Sequence, residues 1–285
     1  MNNEKVAYYD LTTNRNKGHS HQYRTGIDYQ FTANHALNVA YTGGWTSYKS
    51  NNNTTGNSIA KQSSDGHNYL HNVDLYYNLP FGLQITAVYT HYEAPKDQLL
   101  DGKLYETEKN LVASSRQKIN KWMVAADQMH SLQNGWGLSY GVKAQFTNNN
   151  SFQATQTADG EVLPEATSSV DIDERIVNTY FGFNKQIGKN ISIDASVAAE
   201  NFHTPQWNEW RVYPTVNAIW NVNEHHLFNL SFSSNAEYPS YWSTMNSIHY
   251  SSTYSEIWGN PNLKPTSSYN FSLMWQLNRR YTFVA

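Results

Sequence analysis

The sequence predicts an all-β chain, an antiparallel up-and-down transmembrane β-barrel. Three observations carry this. Segment after segment alternates apolar and polar residues with a period of two. The charges in those segments fall on one side of the alternation. Short and long connections follow each other in turn along the chain.

The alternation starts with Tyr23, Thr25, Ile27, Tyr29 and Phe31, opposite Arg24, Gly26, Asp28 and Gln30. It returns in Leu37–Tyr41, Val73–Leu79, Leu83–Tyr89 and Trp122–Ala126. Further segments are Leu138–Phe146, Ile191–Val197, Phe228–Phe232 and Phe271–Leu277. A strand that alternates in this way has one apolar and one polar face. Arg24, Asp28, Asp74, Asp127, Lys143 and Asp194 all stand opposite the apolar residues. An Arg or Lys on the lipid side at the bilayer midplane would cost about 2–4 kcal/mol. These six are therefore assigned to the lumen, and Leu83, Ile85, Val142, Ile193 and Leu230 to the lipid side. The competing reading is a soluble sandwich, with the polar face in water and the apolar face on a second sheet.

Connection lengths favour the barrel. Tight turns are expected at Thr32–His35, Pro80–Gly82, Asn134–Gly135, Gly188–Asn190, Asn223–His225 and Asn278–Arg280. Long polar connections are expected over Thr46–His67, Ala94–Ser115, Asn148–Val170 and Glu237–Ser267, with shorter ones at Asn14–Gly18 and Thr204–Glu209. Membrane barrels alternate short periplasmic turns with long extracellular loops. Aromatics agree with this: Phe31, Phe81, Trp136 and Trp220 adjoin short turns, and Trp45, Tyr92 and Phe202 lie near long-loop ends, as two interface girdles would.

Composition adds exclusions. The 285 residues have a net charge of −3, unlike the basic balance of a nucleic-acid binder. Mean hydropathy is −0.69, with no run long enough for a membrane helix, but alternating faces cancel in any hydropathy window. The absence of cysteine excludes disulfides and thiolate metal sites. The pairs His19/His21, His67/His71 and His225/His226 are read as solvated loop and turn residues, and no metal or other cofactor is expected. Asp171-Ile-Asp-Glu-Arg175 is read as a solvated rim at a loop end rather than a calcium site or glycosidase pair. Ser115-Arg-Gln-Lys118 matches Ser-x-x-Lys without the accompanying acyl-transfer motifs, and nucleotide-binding loops are missing, so no enzyme is indicated.

One stretch is more specific. Gly259-Asn260-Pro261-Asn262-Leu263-Lys264-Pro265 is a stiffened loop that leads into the alternating strand Asn270–Leu277. Upstream, Arg211–Ser233 reads as a hairpin and Tyr238-Pro-Ser-Tyr-Trp242 follows it. The whole run resembles the outer membrane β-barrel of Bacteroidetes-type TonB-dependent receptors. Two positions depart from that pattern: Tyr238 stands where the family usually has Arg, and Thr266 where it has an acidic residue.

The resemblance implies a cell outer-membrane location, lipid contact, and energised uptake of a small ligand or oligosaccharide. It also implies contact with the TonB complex through segments absent from this chain, and no nucleic-acid partner. Tyr238, Tyr241, Trp242, Tyr250, Tyr254 and Trp258 form the candidate ligand-contact loop, because aromatic rings stack on sugars and flat chelates. Competing functions are a plugless porin or adhesin barrel and a soluble carbohydrate-binding sandwich. About twelve strands are expected over 1–285, the first at about Lys5–Thr13, with the start of another at Tyr281–Ala285, roughly half of a 22-stranded barrel. Signal peptide, plug and later strands are expected to lie elsewhere, which leaves an open curved sheet.

Overall fold

The computed structural model describes residues 9–104, 107–246, 248–250 and 255–285. One twelve-stranded antiparallel sheet takes up most of them, and nearly every strand pairs with its neighbour in sequence. The strands are β1 (Asp10–Thr32), β2 (His35–Gly56), β3 (Ser58–Asn78), β4 (Leu83–Leu104), β5 (Thr107–Ser131), β6 (Trp136–Thr157) and β7 (Ser168–Ile187). Shorter strands follow: β8 (Ile191–His203), β9 (Asn208–Asn221) and β10 (His226–Glu237). A folded excursion carries helix α1 (Tyr241–Thr244) and the small hairpin β11 (Ile248–Tyr250) and β12 (Glu256–Trp258). Then β13 (Thr266–Leu277) returns to pair with β10, and β14 (Tyr281–Val284) closes the order. Among the described residues β1 and β14 share no ladder, so the sheet is open, as in a partial barrel.

All six expected tight turns fall between strands. At the last one Asn278 and Arg279 both have positive φ, which gives the twist that joins right-twisted strands. In the Asn223 turn the side-chain oxygen accepts from the amides of His225 and His226, at 2.8 and 3.0 Å.

Three expected long loops are instead strand. Thr46–His67, Ala94–Ser115 and Asn148–Val170 are mostly outward continuations of β2–β3, β4–β5 and β6–β7. The 22 residues of β4 reach about 70 Å at roughly 3.3 Å per residue, well past an apolar band of about 25 Å. Beyond lipid both faces are wet, so the hydrophobic alternation ends while the backbone ladder goes on. Asn14–Gly18 is likewise not a connection: β1 runs through it, and Asn16 pairs with Ser50. Of the strand expected at Lys5–Thr13, Asp10–Thr13 is the start of β1, and residues 5–8 lie outside the described ones. His19, His21, His67 and His71 belong to strands rather than loops, as does Asp171–Arg175.

Ladder register decides which residues share a face. Asp28 lies in one row with Asn38, Tyr76, Thr86, Ala125 and Lys143. On the opposite face Ile85, Ala126 and Val142 form one row, and Ile193, Ala218, Leu230 and Leu273 another. Arg24, Asp74, Asp127 and Asp194 fall on the face of Asp28 by the same parity.

Burial inverts the soluble pattern. Asn149, Ser151 and Thr155 on the polar face are buried, whereas Ile27 on the apolar face is 71% exposed and Trp122, Phe146 and Phe271 are exposed as well. In water this surface would forfeit about 25 cal/mol for each Å² of apolar area; in lipid it is at rest. The sheet is thus built as a membrane wall, with its apolar face toward lipid. Tyr92 and Phe202 depart from the girdle expectation, because both lie on the polar face. The outward row Tyr41, Val73, Tyr89, Trp122 and Phe146 supplies the aromatic belt, and the rings of Tyr89 and Trp122 are 4.5 Å apart.

Candidate ligand cavity

The excursion between β10 and β13 folds back onto the polar face, and its described residues are tied to the sheet at several points. Tyr238 donates its hydroxyl to Glu200 on β8, and Tyr213 reaches the same carboxylate at 3.3 Å. Tyr241 donates to Glu174 on β7 at 2.6 Å. Burial, followed by the Glu174 carboxylate, raises the Tyr241 phenol well above its ordinary pKa, so it stays a donor. Gln153 on β6 donates to the carbonyls of Ala166 and Ile248, and Lys109 pairs with Glu256 at 2.8 Å. Met245, Ile248 and Ala166 are buried beneath the excursion, a small apolar core on an otherwise polar wall.

The Gly259–Pro265 run is the clasp of this arrangement. The Asn260 amide donates to the Ser243 carbonyl at 2.7 Å, and its side-chain oxygen accepts from the Asn262 amide at 2.9 Å. Leu263 N–H closes a turn on Asn260 O, with Pro261 fixing φ inside it. A Cβ on Gly259 would sit 1.7 Å from the Met245 carbonyl oxygen, so the close approach itself demands glycine. Lys264 pairs with Glu209 at 3.0 Å, and Arg211 donates to the Pro265 carbonyl at 3.2 Å while pairing with Glu209 at 2.8 Å.

Between this lid and strands β2–β6 lies a cavity of about 600 Å³. Tyr48, Tyr92, Lys96, Gln98 and Gln117 line the wall, and Trp242 with Ile257 lines the lid. That volume is ordinary for a small-molecule site. A smaller cavity of about 130 Å³ lies beside Tyr238, Tyr241, Pro261 and Leu263.

Of the aromatic loop candidates, Trp242 thus borders the larger cavity, Tyr238 and Tyr241 border the smaller one, and Trp258 points into solvent. Tyr254 and the side chain of Tyr250 lie outside the described residues. The six charged candidates lie on the wall face that the lid covers further out. Arg24 approaches Asp74 at 3.7 Å, Asp28 accepts from Asn38, and Asp127 accepts from Tyr180 at 2.9 Å.

Tyr48, Lys96, Gln117 and Gln153 were not singled out from the sequence, because they sit in stretches that look like loop. One signal was there: Tyr92, Ala94, Lys96 and Gln98 keep the period of two that Gln84 and Thr86 set. Among the described residues no cluster of three or more His, Asp or Glu could hold a metal.

Comparison with known proteins agrees with the fold. No curated protein matches by sequence. Among solved structures, the ferripyoverdine receptor of the Pseudomonas aeruginosa outer membrane superposes with a TM-score of 0.52 at 11% identity, over 93% of this chain and 45% of that one. The Serratia marcescens hemophore receptor HasR gives 0.55 at 10%, over 89% and 46%. The ferric-catecholate import receptor Fiu of E. coli K12 gives 0.53 at 7%, over 96% and 56%. The chain thus spans about half the length of these receptors, and at such identities the likeness is one of fold. The outer membrane protein beta-barrel family model matches residues 82–285, and the chain belongs to that family.

Proposed function

We propose that this chain forms part of a TonB-dependent outer-membrane receptor that takes up a small nutrient ligand and performs no catalysis. The observation that carries the reading is the lidded cavity on the polar face: a specific, aromatic-lined chamber rather than an open pore. The similar structures are a ferripyoverdine receptor, a ferric-catecholate import receptor and a hemophore receptor in complex with its hemophore and haem, which supports the receptor class. On this reading Arg24, Asp28, Asp74, Asp127, Lys143 and Asp194 face the lumen on the path from that chamber. Contact with the TonB complex comes through segments outside this chain. The plugless porin remains the contrasting model, and the lid argues against it, because a passive pore gains nothing from a built chamber above its channel.

The test is uptake by cells with and without a functional TonB complex. Deleting the gene should abolish growth on a limiting nutrient, and deleting TonB should do the same. Uptake that persists unchanged without TonB would replace the receptor with a porin.

A further inference from the structure

The cavity has an unusual balance of groups. Three aromatic side chains, Tyr48, Tyr92 and Trp242, border it together with amides and hydroxyls, and the only charge among the described lining residues is Lys96. Lys96 is half-buried, no described carboxylate pairs with it, and burial lowers its pKa from the ordinary lysine value. Its row explains why the chamber is open there: Tyr48, Gly66 and Lys96 are cross-strand neighbours, and the Tyr48 ring lies across Gly66, where a Cβ would meet it at 2.3 Å. The chamber thus offers flat ring faces, many hydrogen-bonding groups and one desolvated cation. A ferric chelate of high negative charge would call for several cations, and a neutral ligand would leave the ammonium uncompensated.

We infer that the chamber takes an acidic saccharide: sugar rings against Trp242 and Tyr92, hydroxyls on Gln98 and Gln117, and one carboxylate on the Lys96 ammonium. The volume accommodates a short oligosaccharide. A charge-assisted pair in a partly desolvated site is worth roughly tenfold or more in affinity. This rests on the receptor reading above and narrows its ligand.

The experiment uses the intact gene product in outer-membrane vesicles, titrated with a glucuronate-terminated disaccharide and with its uncharged glucose-terminated counterpart. Tryptophan fluorescence and calorimetry report binding. The acidic sugar should bind about tenfold more tightly, with an affinity that falls as salt rises, while the neutral sugar is indifferent to salt. Lys96→Gln should erase the difference between the two sugars; Lys96→Arg should keep most of it; Trp242→Ala should weaken both sugars together. Equal affinities, or a preference that survives Lys96→Gln, would overturn the inference and leave the receptor reading intact. Binding of a ferric chelate but of neither sugar would do the same. TonB-independent uptake would remove the receptor reading instead.

Discussion

The Tyr241 hydroxyl donates to the Glu174 carboxylate at 2.6 Å, joining residues 67 apart in sequence and fixing the short helix of the excursion to the outer part of β7. With the Tyr238–Glu200 contact it turns a 28-residue excursion from loose loop into lid. Tyr241→Phe should therefore loosen the lid without unfolding the wall. Loss of a hydrogen bond to a charged group is worth about 1.5–3 kcal/mol. Hydrogen exchange should rise in 238–246 and stay unchanged in β8–β10; unchanged exchange in the lid would count against the latch.

The pH dependence of that latch has a definite sign. The Tyr241 pKa is raised in the folded state, so its contribution is complete below the unfolded tyrosine value of about 10 and is lost as pH rises through the higher folded value. Lid exchange corrected for intrinsic rates should be flat from pH 6 to 9 and rise only in stronger alkali. A rise already near neutrality would show that another group holds the lid.

Gly259→Ala should be harsher than its size suggests. The added carbon meets the Met245 carbonyl, which is backbone and cannot swing away. The clasp should open, exposing the buried Met245 and creating protease cleavage between 240 and 265 while the barrel strands resist. An uncleaved Gly259→Ala protein would mean that the close approach is dispensable.

Leu230→Arg and Asp74→Leu should separate insertion from permeation. Leu230 is on the apolar face part-way along β10; an arginine at the bilayer midplane costs about 2–4 kcal/mol, so Leu230→Arg should impair assembly, seen as loss of heat-modifiable mobility in gels. Asp74→Leu removes a partner of Arg24 on the polar face and should leave assembly unchanged while altering ligand passage. The reverse outcome would exchange the two faces.

The membrane wall was legible because its signals are local. Turn chemistry at Asn134-Gly135 and Asn278-Arg279 and the alternation at Leu138–Phe146 depend only on neighbouring residues and on lipid. Tyr92 was legible too, since its parity follows Thr90; distance from the turn misled where parity would have served. The outer halves of β2–β7 were not legible, because polar residues on both faces give no contrast once the strand leaves the bilayer. Nor were the partners of the lid. Glu174, Glu200 and Glu209 meet Tyr241, Tyr238 and Lys264 only because the sheet brings β7, β8 and β9 beneath the excursion.

The most direct test of the account is the assignment of the two faces, and these 285 residues contain no cysteine, so each introduced thiol is the sole one in this stretch. Single substitutions Val142→Cys, Lys143→Cys, Ile193→Cys, Asp194→Cys, Leu230→Cys and Ser231→Cys would each be labelled with a fluorophore in the membrane-embedded protein and quenched by brominated lipid or by aqueous iodide. The account predicts strict alternation: lipid quenches at 142, 193 and 230, and iodide quenches at 143, 194 and 231. Similar lipid quenching within each neighbouring pair, or iodide access at 142, 193 and 230, would contradict it.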